Sequence, residues 1–198
     1  QIAATAFDDP SGNSYAGISD TTTLSFTTAD ETNPSLSSSS PADNATAVAT
    51  TSNIVLNFSE AVDVETGNIV IYKASDDSVV ETIDVTSSQV TGTGSTQITI
   101  NPSSDLADST SYYVQIAATA FDDPSGNSYA GISDTTTLSF TTADETNPSL
   151  SSSSPADNAT AVATTSNIVL NFSEAVDVET GNIVIYKSSD DSVVETID

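Results

Sequence analysis

Carboxylates are almost the only reactive groups this chain offers. Its 198 residues include 28 Asp and Glu against two Lys (Lys73 and Lys187), with no Arg, His or Cys and a net charge of −26. Oxygen ligands in such excess suit a hard divalent cation. The stretch Asp30-Glu31-Thr32-Asn33-Pro34 offers three side chains of that kind and returns unchanged as 144–148. Further candidates crowd two other segments: Glu60, Asp63 and Glu65, then Asp122, Asp123 and Asn127. Calcium is the expected ion, because it takes about 6–8 oxygens with loose geometry. Magnesium would demand a tighter octahedron, and zinc lacks its preferred His and Cys ligands. No EF-hand frame is present. Acidic, solvated turns are the competing reading of the same residues.

Other chemistry is poorly supplied. Without His, Cys or Arg, most nucleophile–base pairs and anion clamps are missing. Asp122 and Asp123 could form a glycosidase pair only in principle, since adjacent side chains point apart and few aromatics are at hand to bind sugar. No catalysis is expected. Lys73 reads as a solvated strand end, not as half of a cross-link. Nucleic acid is excluded as a partner, because phosphate binding needs Lys and Arg. No run approaches the ~18 apolar residues of a membrane span. The absence of Cys fits an exported protein.

The elements that position these residues come in copies. Residues 1–84 match residues 115–198 at an offset of 114, with a single difference, Ala74 against Ser188. A unit of that length suits one folded domain. The expected division is the C-terminal part of a preceding repeat in 1–30, a complete repeat in 31–144 and the N-terminal part of a following repeat in 145–198. The chain opens in mid-pattern, as if cut from something longer.

Within the complete repeat, Ser35 to Ala42 predicts a weak edge strand. Ile54, Leu56 and Phe58 alternate with Val55 and Asn57, which predicts a strand with one buried face. Glu60 to Asn68 reads as a loop. Further strands are predicted at 69–72, 79–85, 97–101, 106–116 and around Leu138 and Phe140, with a long loop from Phe121 to Ile132. Leu106 followed by Tyr112 has the spacing of a tyrosine corner. No stretch of about ten residues has helical periodicity. Seven or so short strands predict an all-β, Greek-key sandwich.

The motifs Asn53 through Asp63, Gly67 through Ile71, Asn101-Pro102, Leu106 through Tyr113, and Asp122 through Asn127 with Gly131 resemble the bacterial Ig-like domains of the S-layer-protein type (Big-5). The resemblance covers the whole repeat. It implies tandem Ig-like β-sandwiches in a large adhesin, secreted or displayed on the bacterial cell surface and non-catalytic.

In such a sandwich the loop at 60–67, the loop at 121–132 and the incoming linker share one pole. Asp30, Glu31 and Asn33 should then meet Glu60, Asp63, Glu65, Asp122, Asp123 and Asn127. Seven carboxylates within ~10 Å would repel unless neutralised. A calcium-stiffened joint is the expectation, repeated by Asp144, Glu145 and Asn147 with Glu174, Asp177 and Glu179. The expected role is a rigid extender whose partners are the neighbouring repeats. The alternative makes the repeats themselves adhesive or self-assembling, as in a biofilm matrix, fibre or S-layer, with sister chains or surface glycans as partners.

Overall fold

A computed structural model describes residues 1–198. The chain falls into two compact units, Gln1–Asp144 and Glu145–Asp198, and every regular element is a strand.

The first unit holds ten strands: β1 (Leu36–Ser40), β2 (Ala45–Val48), β3 (Ile54–Val64), β4 (Asn68–Lys73), β5 (Ser78–Asp84), β6 (Val90–Thr91), β7 (Ser95–Ile100), β8 (Ser111–Ile116), β9 (Phe121–Asp122) and β10 (Ser139–Thr142). One sheet has the order β1-β3-β7-β6, with β9 added on β3; the other runs β2-β10-β8-β4-β5. The chain crosses between the sheets at most connections, with β4–β5 and β6–β7 as hairpins within one sheet, and all pairings are antiparallel except that of β2 with β10. The fold is the expected all-β, Ig-like sandwich.

Alternation builds the core. Strand side chains point to opposite faces in turn, so Ile54, Leu56 and Phe58 of β3 are buried while Val55 and Asn57 face outward. Ile98 and Ile100 of β7 oppose them, and Ile69, Ile71, Tyr112, Val114 and Phe140 close the layer from the second sheet. The β-branched residues at these positions fit a pleated, buried surface.

The tyrosine corner forms as its spacing predicts. The Tyr112 hydroxyl accepts a hydrogen bond from the Ala107 amide at 3.0 Å, beside buried Leu106. It thereby pins the turn before β8 to the core.

Two readings of the sequence are corrected. Residues Glu60 to Val64 are not loop but the second half of β3, which bulges between Asn57 and Val62. The 121–132 segment is not wholly loop either: Phe121–Asp122 pairs with Val64 and Asp63. The weakly hydrophobic strands β2 and β6 lack an alternating signature and were not anticipated.

The second unit holds β11 (Leu150–Ser154), β12 (Val169–Phe172), β13 (Ile183–Lys187) and β14 (Ser192–Ile197). They form two antiparallel pairs, β11 with β12 and β13 with β14, in the registers of their copies β1, β3, β4 and β5. β12 stops at Phe172, although the sequence after it repeats that of β3. The pairing that carries β3 onward uses Ser95, Phe121 and Asp122, which have no counterpart in 145–198. In residues 1–30, the copy of 115–144, only isolated bridges form: Ile2 with Ile18 and Asp8 with Ser14.

Candidate metal centre

The loop that carries Asp123 is a self-contained turn. One carboxylate oxygen of Asp123, Oδ1, accepts from the amides of Ser125 and Asn127, both at 2.8 Å. Oδ2 accepts from the Asn127 side chain at 2.8 Å. Asp and Asn favour turns because their side chains can take up backbone groups in this way. Gly126, with φ +87°, closes the turn in a region that favours glycine. Gly131 is needed for space as well: its φ is +74°, and a side chain there would strike the Ile116 carbonyl.

Asp123 is 3% exposed. Burial pushes its pKa up, but the hydrogen bonds from Asn127, Ser125 and Gly126 together outweigh it and hold the carboxyl below its ordinary value. It is therefore ionised well below neutrality. Phe121 and Tyr129 flank the loop and pack on Phe58, with ring centroids 5.4 and 5.1 Å away. Tyr129 is thus an anchor of the loop, and burial lifts its hydroxyl pKa to about 12.

Two further carboxylates reach the same spot. Asp30, Glu60 and Asp123 each place an oxygen within 4.8 Å of the others. Glu60 arrives on β3, just after Phe58 has been driven into the core. Asp30 comes from the incoming chain, whose carbonyl accepts from the Asn127 side chain at 3.1 Å. Asn127 therefore ties the linker to the turn. Burial raises the Glu60 pKa, and the charges of Asp30 and Asp123 raise it further. Three like charges at this separation call for a counter-charge.

The donor set fits calcium. Three carboxylates offer hard oxygens, and each carboxylate oxygen has more than one acceptor site. Nearby, Asp63 and Asp122 are direct cross-strand partners. Like charges placed opposite each other in a sheet are destabilising, which adds to the need for positive charge at this pole.

The remaining expected ligands are placed otherwise. Asp63 accepts from the Thr93 hydroxyl at 3.3 Å. Asp63, Asp122, Glu31 and Glu65 are not among the three carboxylates that meet within 4.8 Å. Asp63 and Asp122 lie opposite each other in the β3–β9 ladder, and Glu31 and Asn33 are exposed in the incoming chain. Among the copies, Asp144 closes the first unit, while Glu145, Asn147, Asp177 and Glu179 are exposed in the second. Glu174, Asp177 and Glu179 form no such group within 145–198, which copy residues 31–84 and so hold no counterpart of Asp123. Glu174 Oε1 is enclosed without a hydrogen-bond partner.

Sequence reasoning missed the part played by Asp134. It accepts from the amides and hydroxyls of Thr136 and Thr137 at 2.7–3.2 Å. Those bonds, led by that of the Thr137 hydroxyl, hold its pKa down to about 2. An Asp-Thr-Thr-Thr run before a strand was the available signal. Because the folded pKa lies below the ordinary 3.8, this carboxylate contributes stability that is full above pH ~5 and lost as pH falls toward 2. Asp134→Ala should therefore flatten the acid limb of a Tm-against-pH curve between about pH 2 and 5. An acid limb as steep as in the parent chain would show that the bonds do not matter to folding.

Comparison with known proteins agrees with this architecture. The family model described as "Bacterial Ig-like domain" matches residues 30–142 and again residues 144–198. No curated protein matches the chain. Among solved structures, the chain is similar to "Crystal structure of the S-layer protein rSbsC(31-844)", with 14% identity and a TM-score of 0.39 over 82% of this chain. The match spans 22% of the length of that protein.

Proposed function

The chain belongs to the bacterial Ig-like domain family, and from that premise we propose that it is an extracellular extender segment of a bacterial surface protein, stiffened by calcium where one repeat joins the next. The observation that carries this reading is the meeting of Asp30, Glu60 and Asp123 within 4.8 Å. Asp30 belongs to the linker and the other two to the domain that follows. An ion shared by them would fasten the incoming chain to that domain. Asp123 would bind first, being preorganised by its turn. Glu60 and Asp30 would follow, losing the mutual repulsion that now lifts the Glu60 pKa.

The supply of side chains favours a mechanical role over a catalytic one. The chain has no His, Cys or Arg to activate a hydroxyl or clamp an anion. The repeats differ at a single matched position, so the same joint would recur at each boundary. The adhesin role and display at the cell surface rest on the family alone.

Small-angle scattering of the chain in calcium and in EDTA tests the proposal. Calcium should reduce flexibility and lengthen the particle. An unchanged maximum dimension together with an unchanged melting temperature would sink the idea.

A further inference from the structure

Two stretches of this chain are the front and back parts of one domain. Residues 145–198 repeat 31–84, and residues 1–30 repeat 115–144. In the complete repeat those parts pack on each other. Phe58 meets Phe121 and Tyr129 at ring-centroid distances of 5.4 and 5.1 Å, and all three rings are buried. Their copies Phe172, Phe7 and Tyr15 are 39%, 62% and 44% exposed. Val178, the copy of Val64, is fully exposed, and so for the most part is Phe26, the copy of buried Phe140. Large apolar side chains left in water in this number mark an unfilled contact.

Each part nevertheless keeps the shape it has when mated. β11 with β12 and β13 with β14 hold the registers of β1 with β3 and β4 with β5. In 1–30, the bridges of Ile2 with Ile18 and Asp8 with Ser14 repeat those of Ile116 with Ile132 and Asp122 with Ser128. The Asp9 turn has the hydrogen bonds of the Asp123 turn. Surfaces already in their bound form have little ordering cost to meet on docking.

From this we propose that residues 1–30 of one molecule dock on residues 145–198 of a second, in the arrangement that 115–144 takes on 31–84. The occupant is set by the chain itself, because the same two sequences are joined within it. The ladders of the complete repeat fix the pairing. Phe7 lies beside Val178 as Phe121 does beside Val64, and Phe26 lies beside Ala159 as Phe140 does beside Ala45. Phe7 and Tyr15 then cover the ring of Phe172. The strands within 85–114 have no second copy, so the contact lacks β6, β7 and most of β8 and is weaker than a closed domain. The two surfaces differ, which makes the contact heterologous: growth is open-ended unless a ring closes. It needs no ion, and so goes beyond the calcium joint.

Sedimentation equilibrium of the full chain in EDTA tests the docking apart from any effect of calcium. Association should rise with protein concentration and with NaCl, as salt screens the acidic surfaces. Phe7→Asp and Phe172→Asp should each weaken it at least ~10-fold, as loss of a buried aromatic anchor does. Phe7 is exposed and Phe172 lies outside 31–144, so both variants should melt within a few degrees of the parent. Mixed together, the two variants should form a dimer and nothing larger, because the first keeps its 145–198 surface and the second its 1–30 surface. A synthetic peptide of residues 1–30 in excess should return the parent chain to monomer, and a scrambled peptide should not. A monomer at every concentration, association indifferent to both substitutions or to the peptide, or a mixture no more associated than its components would each overturn the proposal.

Discussion

Phe121→Ala is expected to destabilise the first unit by about 3–5 kcal/mol, the usual cost of emptying a buried aromatic site. Phe121 is fully buried, packs tilted against Phe58 with ring centroids 5.4 Å apart and follows Ala120, which is buried too. Its removal would open a cavity under the turn that holds Asp123. Urea unfolding followed by circular dichroism measures the loss. The chain contains its own control: Phe7 has the same neighbours in sequence but is 62% exposed. Phe7→Ala should change stability by no more than about 0.5 kcal/mol. Equal effects at the two positions would refute the packing described for Phe121.

The second large effect concerns the carboxylate group and has an unusual sign. Calcium held at about 100 times its Kd stabilises by about 2.7 kcal/mol. In a domain of this size that is a rise in Tm of roughly 8–16 °C. Glu60→Gln should behave in opposite ways with and without the ion. In EDTA it relieves the repulsion among Asp30, Glu60 and Asp123 and raises Tm. In calcium it removes a ligand, and most of the ion-dependent rise disappears. Asp123→Asn should weaken calcium binding as well, by at least the ~10–100-fold that loss of a group merely orienting a ligand costs, and isothermal calorimetry reads that directly. A Glu60→Gln chain that melts lower than the parent in EDTA, or responds fully to calcium, would contradict the site.

Much of the fold was legible because local patterns and tertiary structure agree in this chain. Ile54-Val-Leu-Asn-Phe58 alternates cleanly, and Leu106 with Tyr112 announces the corner. The failures share one cause. Glu60 to Asn68 reads as a loop, and the copy of its first half, after Phe172, is not strand. The segment becomes strand in β3 because Phe121, Asp122 and Ser95 pair with it. These partners lie more than thirty residues away in sequence, so no local window could reveal them. The same sequence in two settings thus separates intrinsic preference from tertiary override.

The candidate site was legible in part for related reasons. Asp30, Glu60 and Asp123 could be grouped from the polarity of the expected sandwich. Periodicity could not tell which acidic neighbours the sheet would occupy. Asp63 and Asp122, also expected as ligands, sit opposite each other in the ladder and outside the group of three. The hydrogen-bonded turn at Asp123 is different in kind. Asp9 accepts from the amides of Ser11 and Asn13 and from the Asn13 side chain at 2.8–2.9 Å, the same pattern in an exposed copy. That turn is written in five adjacent residues and needs no surrounding fold.

The parallel pairing of β2 with β10 governs how the domain answers a pull. β2 lies near the beginning of the repeat and β10 at its end, with Ala45 beside Phe140 and Val48 beside Thr142. Tension between the two ends drags these strands past each other along their length. The bonds across them are then loaded together, not opened one by one as when a hairpin is unzipped. An array of such domains under load would hold until a whole set of bonds gave way at once. Each failure would then release roughly 3.3–3.6 Å of chain per residue, lengthening the array in steps before anything covalent was strained.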